Sequence, residues 1–255
     1  MKLLTVLLLV LSSSAIGAFG QTAINLGTAD NFGLLAGSGI TNVSSLTYII
    51  GDVGSSPTPT VTGLTQSQVK GTLYLVASPV TAQAQTDLTV GYNDAAGAPC
   101  GTDLTGQDLG GMTLGPGVYC FSSSAGLTGT LTLDAYGDPK AQWIFQMGST
   151  LTTASESSVL IVLGHKVKKD GPMPLWSKGQ RGCNVYWQVG SSATIGTGSN
   201  FLGQILALTS ITLNGGVLKG KALASNGAIS ITGQETVDGP PCDSKGGKLP
   251  WPSTE

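Results

Sequence analysis

The chain has 255 residues, 10% of them charged and 40% hydrophobic, with a net charge of −2. So little Lys and Arg excludes nucleic acid and anionic membranes as partners, because both demand concentrated positive charge. The apolar content excludes a disordered chain.

Met1 to Gly20, MKLLTVLLLVLSSSAIGAFG, reads as a secretory signal peptide (residues 1–20). Lys2 is the charged start, Leu3 to Leu11 the apolar segment, and Ala18 and Gly20 the small residues of a cleavage site. The apolar segment is too short to span a bilayer. Residues 21–242 are long enough for one β domain with a sizeable core, and the expected product is a secreted, extracellular monomer.

Within Gln21 to Ser56, NFGLLAGSGITNVSS has an apolar run, a small-residue corner and an alternating segment, GITN, that carries Thr41. This row either begins a stack or is inserted beside a later coil. Asn42-Val43-Ser44 is an N-glycosylation sequon that is not expected to be occupied. YIIGDV then continues as a strand to the SSPTP turn.

Ser78 followed by Pro79 predicts a helix start, a capping hydroxyl with proline at the first helical position. Val80, Ala84, Leu88, Tyr92 and Ala95 form one apolar stripe, so a helix is expected over 79–96, ended by Gly97 and Pro99. It should lie on strands buried on both sides, for which the candidates are Trp143 to Phe145, Val185 to Trp187 and Ile205 to Leu208.

From here the chain repeats itself. GVYCFSSSAGLTGTLTLDA begins at Gly117, AQWIFQMGSTLTTA at Ala141, NVYWQVGSSATIG at Asn184, GQILALTSITLN at Gly203 and GKALASNGAISIT at Gly220. Thr194, Thr212 and Ser230 fall in register 18 residues apart. That period is too short for a domain and too long for a heptad; it fits the coil of a β-solenoid.

Strand alternation sends Leu131, Leu133, Leu151, Ile195, Ile211, Leu213, Ile229 and Ile231 inward. It sends outward Thr130, Thr132 and Asp134; Thr150, Thr152 and Ala154; Ser192, Thr194 and Gly196; Ser210, Thr212 and Asn214; and Ala228, Ser230 and Thr232. Stacked coils would space these rows about 4.8 Å apart, with alternate residues roughly 6.7 Å apart along each strand. The predicted surface is a flat grid of hydroxyls and methyls.

Gly164 to Gly182 interrupts the rows, separating Thr152 from Thr194 by 42 residues, and holds His165, Trp176 and a lysine cluster. It reads as a solvated loop (164–182), and 243–255 as a flexible tail. The four cysteines of an exported chain predict two disulfides. Sequence permits three connectivities; pairing Cys100 with Cys120 joins sequence neighbours, and pairing Cys183 with Cys242 brackets the regular rows.

Catalysis is not expected. The acids are scattered, with no row-to-row stack of the kind polysaccharide-cleaving solenoids use. No cofactor or metal is expected either, since His165 has no Cys or His cluster around it. One alternative is a non-catalytic adhesin or carbohydrate-binding solenoid recognising its ligand through Trp176, Trp187 or the inserted loop.

Several long motifs, INLGTADNFGLLAGSGITN, GDVGSSP, PCGTDLTGQDLGG, GPGVYCFSSSAGLTGTLTLDA, CNVYWQVGSSATIG and ILALTSITLN through PPC at Pro240 to Cys242, make the mature chain similar to the secreted microbial ice-binding proteins. That resemblance implies a right-handed discontinuous β-helix of triangular cross-section with one long α-helix along its apolar face. It implies that the first row packs beside the last, and that the flat alternating face meets ice, causing thermal hysteresis and inhibiting recrystallisation. It also implies the Cys100–Cys120 and Cys183–Cys242 pairs. The insertion at Gly164 to Gly182 departs from the family pattern and follows the Thr150 to Ala154 row in the sequence.

Overall fold

A computed structural model of the chain describes residues 24–138, 140–162 and 182–239. The expected signal peptide, the C-terminal tail and all of the inserted loop but Gly182 lie outside the described residues. The rest is mostly β, with one α-helix and every strand pair parallel.

The strands fall into three ladders. The first runs from Asp52–Ser55 through Phe32–Ala36, residues 220–224, residues 203–207, Val185–Val189, Trp143–Met147 and Gly117–Phe121 to Thr102–Asp103. The second runs from Val69–Lys70 through Tyr48–Ile50, Glu235–Asp238, residues 216–219, residues 199–202, Ser158–Val162 and Thr130–Asp134 to Thr113–Leu114. The third is a separate sheet of seven strands: Val61–Thr62, Gly39–Asn42, Ala228–Ile231, Ile211–Leu213, Ala193–Ile195, Leu151–Thr153 and Ala125–Leu127.

Ser199–Ala207 and Gly216–Ala224 are long enough to serve both of the first two ladders. They change ladder at Gly203 (φ 120°) and Gly220 (φ 156°), and a Cβ on Gly220 would lie 1.9 Å from the Gly203 carbonyl oxygen. Only glycine allows the two backbones to pass so closely.

The first ladder is buried on both faces, which explains its consecutive apolar runs. Its inner side stacks Tyr119 on Phe145 and Phe145 on Trp187, with centroids 5.4 and 4.1 Å apart, and Phe201 of the second ladder packs tilted against Trp187 at 4.9 Å. Its outer side, with Phe32, Leu35, Ile144, Tyr186, Leu206 and Leu223, is covered by the helix Pro79–Gly97. The Ser78 hydroxyl caps that helix by accepting from the Val80 N–H at 3.2 Å.

The buried stripe is Thr81, Ala84, Leu88, Gly91 and Ala95. Val80, expected in it, is exposed, and Tyr92 is half-buried. Steps of four residues drift by about 40° each around a 3.6-residue helix, whereas alternating steps of three and four stay on one side.

The predicted inward residues Leu131, Leu133, Leu151, Ile195, Ile211, Leu213, Ile229 and Ile231 are all buried. The N-terminal row is inserted at the far end of the stack, Thr41 opposite Ser230 and Leu34 opposite Ala222. Cys100 bonds Cys120 with a Cα separation of 5.9 Å. Cys183 is also disulfide-bonded, and its expected partner, Cys242, lies outside the described residues.

Candidate functional site

The outward side of the third ladder is the most uniform surface of the described residues. Its middle column reads Thr62, Thr41, Ser230, Thr212, Thr194, Thr152 and Gly126, each opposite the next in register. Six consecutive rows therefore present one hydroxyl each, about 4.8 Å apart. Beneath them Ile40, Ile229, Ile211, Ala193, Leu151 and Ala125 fill the core and support the sheet from below.

The flanking positions behave differently. Thr150, Ser192, Ser210 and Ala228 line one side, all half-buried. Their hydroxyls are partly committed, Thr150 Oγ1 donating to Ser124 Oγ at 2.8 Å and Ser192 Oγ lying 2.7 Å from Thr209 Oγ1. On the other side stand Ala154, Gly196, Asn214 and Thr232, where Thr232 Oγ1 donates to Asn214 Oδ1 at 2.8 Å. Gly196 is buried, and a Cβ there would meet the Ala154 carbonyl oxygen at 2.5 Å, so this row is necessarily recessed. Thr152 and Ala154, in the row that precedes the insertion in the sequence, are exposed.

Thr130, Thr132 and Asp134 are not part of this surface. Their strand belongs to the second ladder, where Thr130 opposes Ser158, Thr132 opposes Leu160 and Asp134 opposes Val162. Asp134 is buried and accepts from the Tyr136 N–H at 2.9 Å. The coil from Gly117 contains two alternating segments, and the threonine-rich one turns away from the grid while Ala125–Leu127 occupies it.

A signal for this was present. Thr152, Thr194 and Thr212 each lie seven residues after a core residue of the first ladder, Phe145, Trp187 and Ile205. The same step from Tyr119 reaches Gly126. Thr62 was missed for another reason, since its strand has only two residues.

No charged side chain stands in the column until its end, where Asp108 bridges to Gly126. Burial alone would raise the Asp108 carboxyl. The N–H groups of Thr128 and Gly110, at 2.9 and 2.7 Å, and the Thr128 hydroxyl outweigh it and hold the group below the usual carboxylate range.

Two residues with candidate roles are removed from the surface. Trp187, a recognition residue in the adhesin alternative, is 0% exposed and its Nε1–H donates to the Leu202 carbonyl oxygen at 2.9 Å. Trp176 and His165 lie outside the described residues. Asn42 is buried, its Nδ2 donating to the carbonyls of Ser44 and Gly63 at 2.7 Å each. A glycan on that nitrogen would replace one of its two hydrogens and so remove one of these bonds. Among the described residues no three of His, Cys, Asp and Glu come together as metal ligands, and no helix is long and apolar enough to cross a membrane.

Residues 34–237 match the profile of the family described as Ice-binding-like. An ice-binding protein of Nostoc sp. (strain HG1) is 50% identical over 208 residues, covering 81% of this chain and 71% of that protein. One from Colwellia sp. is 32% identical over 240 residues, covering 88% and 86%. Among solved structures, an ice-binding protein from an Antarctic biological consortium superposes with a TM-score of 0.71 at 38% identity, covering 85% of this chain and 90% of that one. One from the Antarctic ascomycete Antarctomyces psychrotrophicus gives 0.72 at 32% identity, covering 86% and 98%.

Proposed function

Because this chain belongs to the ice-binding-like family, we infer that it is an ice-binding protein whose contact surface is the outward side of the third ladder. The observation that carries the assignment of the surface is the unbroken column of hydroxyls from Thr62 to Thr152 on an uncharged sheet.

Such a surface works by repetition. Each row holds a methyl or methylene apart from its neighbour while its hydroxyl anchors water, and ordered waters at near-lattice spacing merge with a growing crystal. Every contribution is small, and the sum grows with area. Adsorption at many points curves the ice front between anchors, which gives thermal hysteresis and slows recrystallisation. No step of this requires a pocket or a reactive group, so the protein is read as a non-enzyme that functions without cofactor or metal.

The three ladders are read as the sides of a right-handed β-helix of triangular cross-section, discontinuous because the helix separates the N-terminal coil from the others. The domain is taken as 21–242, exported under the direction of residues 1–20 and acting as a monomer outside the cell. The sequence pattern of the leader and the low charge support this.

Cryoscopy of the mature chain, with microscopy of a seed crystal, tests the assignment. Thr212 is central and half-buried, so Thr212→Tyr places a bulky ring above the column without disturbing Ile211 or Leu213 beneath it. Hysteresis and crystal shaping should fall sharply in a variant that melts like the parent; undiminished activity would remove this face from the mechanism.

A further inference from the structure

We propose that Asp30 and Lys221 are positioning residues for the contact surface, setting the register in which the N-terminal coil adds its rows. The proposal rests on the ice-contact reading of the third ladder.

Thr41 and Thr62, two of the six hydroxyl rows, come from the two N-terminal coils, residues 32–50 and 52–70, which join the stack against residues 222–231, far away in the chain. Thr41 and Ser230, 189 residues apart in sequence, approach side by side, Oγ1 to Oγ 3.4 Å. Something must fix the register across this seam. The backbone ladder alone does so poorly, because a slip of two residues returns every side chain to its own face. Phe32–Ala36 is apolar at nearly every position and buried throughout, so hydrophobicity alone does not choose among offsets.

Lys221 supplies what the apolar residues lack. It is 0% exposed on the strand Gly216–Ala224, one position before Ala222, the residue opposite Leu34. Its Nζ donates to the Asp30 carboxylate on the 3-10 turn Gly27–Asn31 that leads directly into Phe32–Ala36. Burial lowers the Lys221 pKa, and the Asp30 charge and hydrogen bond oppose that shift. A slipped register would withdraw the carboxylate and strand a buried ammonium, an arrangement far costlier than the pair itself is favourable. A buried polar contact used in this way specifies one alignment among several apolar ones.

The same turn is held from the other side. The Thr28 N–H donates to the Asp87 carboxylate on the helix at 2.6 Å, and Leu26 packs in the helix cluster with Leu88 and Leu223. The turn thus sits between helix and stack, with Asp30 as its one contact to a buried charge on the stack.

Disulfide trapping reads register without ice. Thr41→Cys with Ser230→Cys puts the two thiols opposite one another, and the full chain should close this bridge readily on mild oxidation. In the doubly apolar variant Asp30→Leu/Lys221→Met, which leaves no unpaired charge and should still fold, bridge formation should drop severalfold. Undiminished trapping there overturns the proposal.

Without the added cysteines, the same apolar variant should lose on the order of one third of its hysteresis, as expected for two of six additive rows. Adding Thr41→Tyr should then cost little more, whereas adding Thr152→Tyr should cost as much as it does in the parent. Equal losses from both tyrosines would mean general destabilisation and would sink the positioning role. A parent chain that traps in register yet does not shape ice would overturn the ice reading instead.

Discussion

The second and third ladders are built from the same coils with the same backbone spacing, yet their outward sides differ in nearly everything else. The third shows Thr62, Thr41, Ser230, Thr212, Thr194 and Thr152 in a line. The second, at corresponding rows, shows Tyr48, Thr236, Val217, Asn200 and Ser158, with Lys70, Lys219, Asp238 and the exposed Leu160 beside them. A parallel ladder therefore supplies the lattice-like period on both sides. The two sides differ in the evenness of their side chains and in charge, and on the ice-contact reading that difference is what would let one of them hold ordered water.

The largest expected effect comes from breaking that evenness on each side in turn. Thr194→Tyr should reduce adsorption by about tenfold, equivalent to about 1.4 kcal/mol, measured as retention of labelled protein on an ice hemisphere. Thr132→Tyr, the same change on the second ladder, should leave adsorption and crystal shape as in the parent. Loss of activity at Thr132 would return that strand to the contact surface and undo the distinction between the two sides.

The corner between the two ladders offers a second test. Glu235 is 2% exposed and opens the strand Glu235–Asp238, just after the third-ladder strand Ala228–Ile231. Burial pushes its carboxyl up to about 7, against the pull of the Gly215 and Leu218 N–H groups that it accepts from. The folded state thus holds a proton that the unfolded state releases near pH 4.5. The associated stability is complete below pH 4.5 and is lost as pH rises through 7, on the order of 3 kcal/mol in all. The melting temperature of the parent should accordingly fall as pH rises from about 4.5 to about 7, and Glu235→Gln should flatten the profile. Because Glu235 lies beneath the corner and not on the grid, ice shaping by folded Glu235→Gln should match the parent at pH 6.

The period, the inward residues, the helix and most of the grid were legible in the sequence because each rests on alternation or spacing that survives without coordinates. Ile195, Leu213 and Ile231 had to be inside once Thr194, Thr212 and Ser230 were in register. What could not be read was which of two alternating segments in the coil from Gly117 takes the third ladder. TLTLD carries the stronger strand pattern and AGL the right distance from Tyr119, and distance decides, since every coil must turn the same corners. The helix stripe failed at Val80 for a related reason, because steps of four fit a helix only locally. Asp30 and Lys221 lie so far apart in the chain that nothing in the sequence joins them.

The smallest effect is expected where the column ends. Gly126 is the one row of the third ladder's middle column with no side chain, and it has an ordinary extended backbone, so Gly126→Thr adds a seventh hydroxyl without conformational strain. The added Cβ would approach Asp108 Oδ2 to 3.0 Å, tight enough that the carboxylate must shift by a few tenths of an ångström. That carboxylate is anchored by the Thr128 and Gly110 N–H groups through its other oxygen, so the variant should lose at most about 1 kcal/mol of stability, the worth of one weakened hydrogen bond. If rows add independently, hysteresis should rise by roughly one sixth. An unchanged value would mean that the Asp108 charge already spoils the water order at this end, and Asp108→Asn in the same chain should then release the gain. A value unchanged in both variants would show that the effective surface stops at Thr152, and that length beyond that row contributes nothing.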